Sequence, residues 1–468
     1  MRTFTVQLRQ VLGLLKQALL GTEKRFTSGG INRSIILLAV PTVMELVMES
    51  VFVCANLFFV SKLGAGAISL VGSTESIITF SYSVAIGLSM AATALVSRRV
   101  GEGRFRRAAL TALQVVYLGV AFSMVITCIT VIWWKEILLL LGLPSNLLHY
   151  GADYVRLMFA STALIIVRMA INGVLRGAGD AAIAMRTLWL SNAANILLCP
   201  LLIFGWGPVP ALGITGLAWA TLLARALGLA YQCLHLLGGR SVIRFGNVPY
   251  RIDKPTMQKV LQLTASGTIQ YIVPSSSWLF MIKIVAHFGP TALAGYILAQ
   301  RISSIATMPA WGVGNAAGIL TGQNLGAGQP ERAERSVWRA GTINMCFLVL
   351  VALFWFFYAN KAASFFSDLP AVVQETTMYM QFISIAYILL GYTMVISRSL
   401  NAAGEIAVVT RLYLLMFYGV QIPLSYLLGI YCGMGPKGVF FAIMLAELVL
   451  AGSCIYVFRK GDWKLKNV

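Results

Sequence analysis

Charge is scarce in this chain. Asp, Glu, Lys and Arg make up 11% of its 468 residues, against about 25% in an average soluble protein. Hydrophobic residues fill 58%, and the mean hydropathy is +0.80. So little charge cannot cover a water-facing surface. That excludes a soluble fold and predicts an all-α polytopic membrane protein. Acids are scarcer still, 16 against 36 basic residues. Histidine occurs only as His149, His235 and His287, far apart in sequence, so no histidine metal site is expected. The seven cysteines form no CxxC and sit in or beside apolar runs, as small core residues do. There is no HExxH, no GxSxG and no clustered Asp pair within an apolar segment. An enzyme in the membrane is therefore not expected, nor a cofactor.

What is present is apolar sequence in long runs. Twelve segments are expected, near 34–61, 68–97, 108–134, 150–174, 182–204, 211–237, 258–286, 291–322, 334–358, 374–398, 406–431 and 437–458. Ahead of them, residues 1–33 are basic. Phe4, Leu8, Val11, Leu15 and Leu19 recur at helical spacing among Arg2, Arg9 and Lys16, which suits a helix lying on an anionic membrane face. Lys16 interrupts the apolar run and no small-residue cleavage site follows, which argues against a signal peptide.

The net charge of +20 is placed by topology, not by nucleic acid. Basic residues crowd alternate loops: Arg98, Arg99, Arg104, Arg106 and Arg107, then Arg240, Arg244, Arg251 and Lys254, then Arg332, Arg335 and Arg339. The intervening loops hold Lys62, Lys135, Lys361 and Lys437. The positive-inside rule puts both termini in the cytoplasm.

The chain also repeats itself. A shift of 225 residues, the distance from Gly64 to Gly289, also aligns Gly101 with Gly326, Gly103 with Gly328, Gly179 with Gly404 and Arg186 with Arg411. Six segments separate equivalent positions. An even number makes the halves parallel repeats, here two six-helix bundles at 34–237 and 258–458. A cytoplasmic linker, 238–257, joins them, and 459–468 is a cytoplasmic tail. Gly101 and Gly103 allow a tight turn held at the surface by arginines. No strand precedes it and no GK[ST] follows, so it is not a phosphate loop.

Polar residues inside the segments are the candidate site. In the first segment Glu49 lies about 40° around the helix from Glu45, and Asn56 about 20°. A carboxylate facing lipid costs at least about 2.5–3.5 kcal/mol, so this stripe faces other helices or a wet cavity. Burying two close carboxylates disfavours ionising both, which suits a proton site. In the repeat, Glu45 aligns with Gln270, Glu49 with Pro274 and Glu75 with Gln300, so the acidic chemistry belongs to the first half. Pro41, Pro200, Pro274, Pro309 and Pro423 are expected to bend their helices. Arg156, Arg168, Arg225, Lys283 and Arg301 are expected mostly to snorkel or to pair with carboxylates.

Several stretches together resemble the multidrug and toxin extrusion (MATE) family over residues 31–458. They are PTVMELVMESVF and FFVSKLG in the first segment, RRVGEGRFRRA and its counterpart QNLGAGQPERA, LRGAGD with LNAAGE, and NILLCPLLIFG in the fifth. The resemblance implies twelve helices in two bundles, opening outward as a V. It also implies efflux of organic, often cationic, compounds in exchange for H⁺ or Na⁺. Where many prokaryotic members carry Asp in segments one and five, this chain has Asn56 and Cys199; Asn195 matches the family Asn. Coupling would then pass to Glu45, Glu49, Glu75 or Glu447, or be weak or absent, with H⁺ favoured over Na⁺. The expected partners are small-molecule substrates and membrane lipids, with no nucleic acid, and the chain is expected to be a monomer in a prokaryotic inner membrane. The alternative reading is a flippase or exporter of a lipid-linked or amphipathic metabolite.

Overall fold

The computed structural model describes residues 2–22, 25–140, 143, 147–148, 151–205, 210–238 and 241–466. Lys24, His149 and Arg240 lie outside the described residues, as do the side chains of Arg2, Phe4, Leu8 and Val11. Helices carry the described chain and none of it is strand. An apolar solvent forces this, because each backbone N–H and C=O must be satisfied within its own segment.

In chain order the helices are α1 (Arg2–Leu20), α2 (Ile31–Ser61), α3 (Ala65–Gly101), α4 (Phe105–Ile132), the short α5 (Trp134–Leu140), α6 (Ala152–Ala160), α7 (Thr162–Gly177), α8 (Ala181–Phe204) and α9 (Gly213–Leu237). Then come α10 (Lys254–Ala286), α11 (Pro290–Gly326), α12 (Pro330–Ser364), α13 (Pro370–Ala402), α14 (Ile406–Leu414), α15 (Ile422–Tyr426) and α16 (Pro436–Lys460). With α6–α7 and α14–α15 each taken as one span, 11 of these are long and apolar enough to cross a membrane. The twelfth long helix, α11, has 37 residues, as α3 has. It falls short of that composition, being richer than α3 in Gly, Asn and Gln.

The chain forms two compact units. The first holds Met1–Arg25 and Val40–Thr268, the second Phe26–Ala39 and Ile269–Val468. With α2 counted in the first and α10 in the second, each holds six long helices or helix pairs among the described residues. The repeat read from sequence is present in the backbone. The turns after α3 and α11 close alike: Gly103 N–H donates to Val100 O at 3.0 Å, and Gly328 N–H to Leu325 O at 3.1 Å. Their φ values are 72° and 70°, a left-handed conformation that glycine alone enters at no steric cost. Asp180 N–H donates to Leu175 O at 2.8 Å, and Glu405 N–H to Leu400 O at 2.9 Å.

Some boundaries differ from the hydropathy reading, each for a local reason. The fourth segment is two helices, α6 and α7, broken at Ser161, whose hydroxyl turns back to Met158 O at 2.7 Å. The eleventh contains π-helical turns, Leu415–Gln421 and Leu427–Tyr431, on either side of Pro423. Proline has no N–H to donate, and wider turns let the helix run on past it. The linker is not loose chain. Gln114 is fully buried in α4 and holds Arg251 O and Asp253 N–H at 2.9 and 3.1 Å. Ile243 and Val248 are buried beside it in sequence.

Lipid tails are as apolar as leucine, so helix contacts in a membrane rest on close packing and hydrogen bonds. Unit one shows both where α3 meets α7. A Cβ on Gly173 would sit 2.4 Å from Ser89 O, and the Thr93 hydroxyl reaches Gly173 O at 3.0 Å. In unit two Asn344 Nδ2 donates to Gly391 O at 3.1 Å. That unit's core is aromatic, with Tyr296, Tyr379 and Phe440 mutually packed. The core of unit one is built on Leu70, Tyr154, Phe159 and Ile165.

Candidate functional site: a charged crevice within unit one

The stripe on α2 faces inward. Glu45 and Asn56 are buried, while Val47, Val51 and Leu57 on other faces are exposed. Side chains of α8 fix α2 in place: Trp189 Nε1 donates to Met44 O at 3.2 Å, and Asn192 Nδ2 to Met48 O at 3.1 Å. The stripe then divides into three environments.

Glu45 is committed to a partner. Arg176 Nη2 of α7 donates to its Oε1 at 2.6 Å, and Asn172 Nδ2 approaches the same oxygen at 3.5 Å. Gln232 Nε2 of α9 in turn donates to Asn172 Oδ1. This is a largely buried ion pair inside a hydrogen-bond network. Removing one member would leave the other charge uncompensated.

Glu49 is different. It makes no ion pair or hydrogen bond among the described residues, and it stands on the wall of a crevice shared with Tyr82 of α3, Arg168 of α7, Asn192 of α8, and Thr221 and Arg225 of α9. Arg168 and Arg225 are 6% and 9% exposed. Both lie within electrostatic reach of Glu49, yet neither closes on it as a salt bridge. Arg225 Nη1 donates to Ser161 Oγ, at the break between α6 and α7. Arg168 forms no hydrogen bond among the described residues, and its buried Nε has no partner. Glu75 is exposed on α3, outside the crevice lining, within reach of Arg225.

Asn56 leads into a third group. The Cys199 thiol lies 3.4 Å from Asn195 Oδ1 and 3.8 Å from Asn56 Oδ1. Asn195 Nδ2 donates to Thr221 Oγ1 at 3.2 Å. A neutral polar chain thus runs from Asn56 through Cys199 and Asn195 to the crevice. The structure brings Glu49, Asn56, Asn195 and Cys199 into one connected region. It sets Glu45 in its own ion pair and leaves Glu75 on the periphery. In unit two Glu447 of α16 is half-buried, close enough for its charge to act on Tyr379 and Tyr387.

The sequence reading missed Arg168 and Arg225 as site residues, placing them among side chains that snorkel or pair. The signal was there. Each sits inside an apolar run, in ALIIVRMAI and TLLARALGL. A guanidinium placed there costs at least about 2.5–3.5 kcal/mol against lipid, so it marks an interior site by default.

Two six-helix repeats that cross a membrane, with charged groups walled inside one of them, define a solute transporter. The family profile named MatE matches residues 41–201 and 268–427, and the chain belongs to that family, the MATE transporters. It is a multi-pass membrane transporter and not an enzyme. Among curated relatives, the probable multidrug resistance protein YoeA of Bacillus subtilis is 27% identical, covering 96% of this chain and 97% of its own. The FAD transporter of Shewanella oneidensis is 25% identical over 92% and 95%. Among solved structures, a MATE protein in a bent conformation superposes with a TM-score of 0.86 at 20% identity, covering 93% of this chain and 96% of its own. A transporter from Pyrococcus furiosus, described as having a binding pocket of reverse polarity that suggests a different function, superposes at 0.85 and 20% identity, over 95% and 100%.

Proposed function

We propose that this chain is a secondary active exporter of small organic compounds, driven by inward movement of protons, with Glu49 carrying the exchanged proton. One observation carries the reading: Glu49 stands in a membrane-spanning helix, on the wall of an internal crevice, with no partner clamping it. A carboxylate held as Glu45 is would have to break an ion pair in every cycle. Protons suit the site better than sodium. A metal cation needs several gathered oxygen ligands, and two guanidinium groups beside Glu49 repel it. A proton needs one carboxylate oxygen. Nearly all loop arginines fall on one side of the sequence-derived topology, which supports cytoplasmic termini and a prokaryotic inner membrane. The chain acts as a monomer in this reading.

The relatives bracket the cargo, since the names include both multidrug resistance and FAD transport. A second reading, export of an amphipathic or lipid-linked metabolite, is favoured by the buried Arg168 and Arg225. Everted membrane vesicles test the first. A proton gradient imposed alone should drive accumulation of a fluorescent substrate, and a sodium gradient alone should not. Accumulation under sodium only would refute proton exchange at Glu49.

A further inference from the structure

We infer that the crevice of unit one is a subsite for an anionic group of the cargo, a carboxylate or a phosphate, received by Arg168 with Arg225 beside it. The inference rests on the export reading and names the charge of what is exported. Arg168 is 6% exposed, lines the crevice and makes no hydrogen bond among the described residues. Its Nε is buried with no acceptor. A buried guanidinium left without an acceptor is expensive, and a fold keeps one where a ligand supplies the missing oxygens. The planar fork of five N–H donors matches a carboxylate or phosphate in two parallel hydrogen bonds.

The neighbouring groups agree in sign. Arg225 adds a second positive charge on the same wall, although Ser161 already occupies one of its donors. The facing negative groups are Glu49, in the lining, and Glu75, outside it. Glu45 is already neutralised by Arg176. The lining therefore carries two cations against one carboxylate. Tyr82, Asn192 and Thr221 offer polar contacts around them, and Phe52 and Leu188 offer an apolar wall. An anionic group suits that chemistry, and a cation would meet two like charges.

The test uses two fluorescent probes of similar size and opposite charge, carboxyfluorescein and rhodamine 6G. Binding to the purified full chain in phosphatidylcholine nanodiscs is read by anisotropy. Wild type should bind carboxyfluorescein, and Arg168→Gln should weaken it about tenfold or more, the usual consequence of losing a charged hydrogen bond. Arg168→Lys keeps the charge without the fork and should fall between the two. Rhodamine 6G binding should not weaken in Arg168→Gln. Should that variant fail to fold, the wild type still decides, because its carboxyfluorescein binding must exceed its rhodamine 6G binding and must weaken with added salt.

A further arm adds phosphatidylglycerol to the discs. Competition with carboxyfluorescein identifies a lipid headgroup as the anion, and absence of competition identifies a soluble organic anion. Equal carboxyfluorescein binding by wild type and Arg168→Gln overturns the subsite, as does no binding by wild type. Transport in everted vesicles separates the two ideas. If rhodamine 6G accumulates under a gradient while carboxyfluorescein neither binds nor moves, export stands and the anionic subsite falls. If carboxyfluorescein binds but neither probe moves, the subsite stands and export falls.

Discussion

Glu45 and Glu49 are one helical turn apart and chemically unlike. Glu45 shares a 2.6 Å contact with Arg176, whereas Glu49 has charged neighbours and no clamp. Two glutamines at these positions should therefore fail differently. Glu49→Gln should abolish proton-driven accumulation in vesicles, with melting temperature and yield close to wild type. Glu45→Gln keeps an oxygen for Arg176 but not the charge, and should cost about 1–3 kcal/mol of stability. Its signature is a lower melting temperature in detergent, with transport per folded molecule largely kept. The opposite pattern, stable Glu45→Gln and unfolded Glu49→Gln, would reverse the two roles. At this scale the sequence yielded the stripe itself, from spacing alone. It did not show which carboxylate is paired, because Arg176 lies on another helix and pairing is set by how helices dock.

Helices here are specified by two different features, and mutations should separate them. Gly103 is needed for its backbone angle, φ 72°, with nothing within 4 Å of an added Cβ. Gly173 is needed for closeness, since its added Cβ would lie 2.4 Å from Ser89 O. Gly103→Ala should cost about 1 kcal/mol, the penalty of a left-handed non-glycine residue. Gly173→Ala should cost about 1–3 kcal/mol or more, because backbone cannot yield as a side chain tip can. Thermal unfolding of both variants in one detergent gives the order, and a milder effect at Gly173 would contradict the packing of α3 on α7. The turn at Gly103 was legible because its motif recurs at Gly328. The break at Ser161 was not, since a serine inside an apolar run reads as ordinary helix until Arg225 is seen to reach it.

Across the molecule the repeat and the charge of the loops make one joint prediction. A cysteine at Arg332 should be cytoplasmic and one at Lys361 external, in a background stripped of the native cysteines. An impermeant maleimide added to intact cells should label only position 361. Labelling of position 332 alone would invert the topology. The two positions lie at opposite ends of α12, a helix of 35 residues and so about 52 Å long, which sets them on opposite faces of a bilayer.

The sequence by itself determined the class of fold. Scarce charge, long apolar runs and a fixed repeat offset are properties of the chain, readable because a bilayer demands them of every segment one at a time. It also marked the paired turns at Gly103 and Gly328, because only glycine takes a left-handed backbone cheaply. The tertiary structure decided the chemistry of the site. Arg168, Glu49 and Arg225 belong to three helices far apart in the chain. Their meeting depends on which faces of those helices turn inward and how closely small residues let them approach. No single segment contains that information, and the charge of the crevice follows from it.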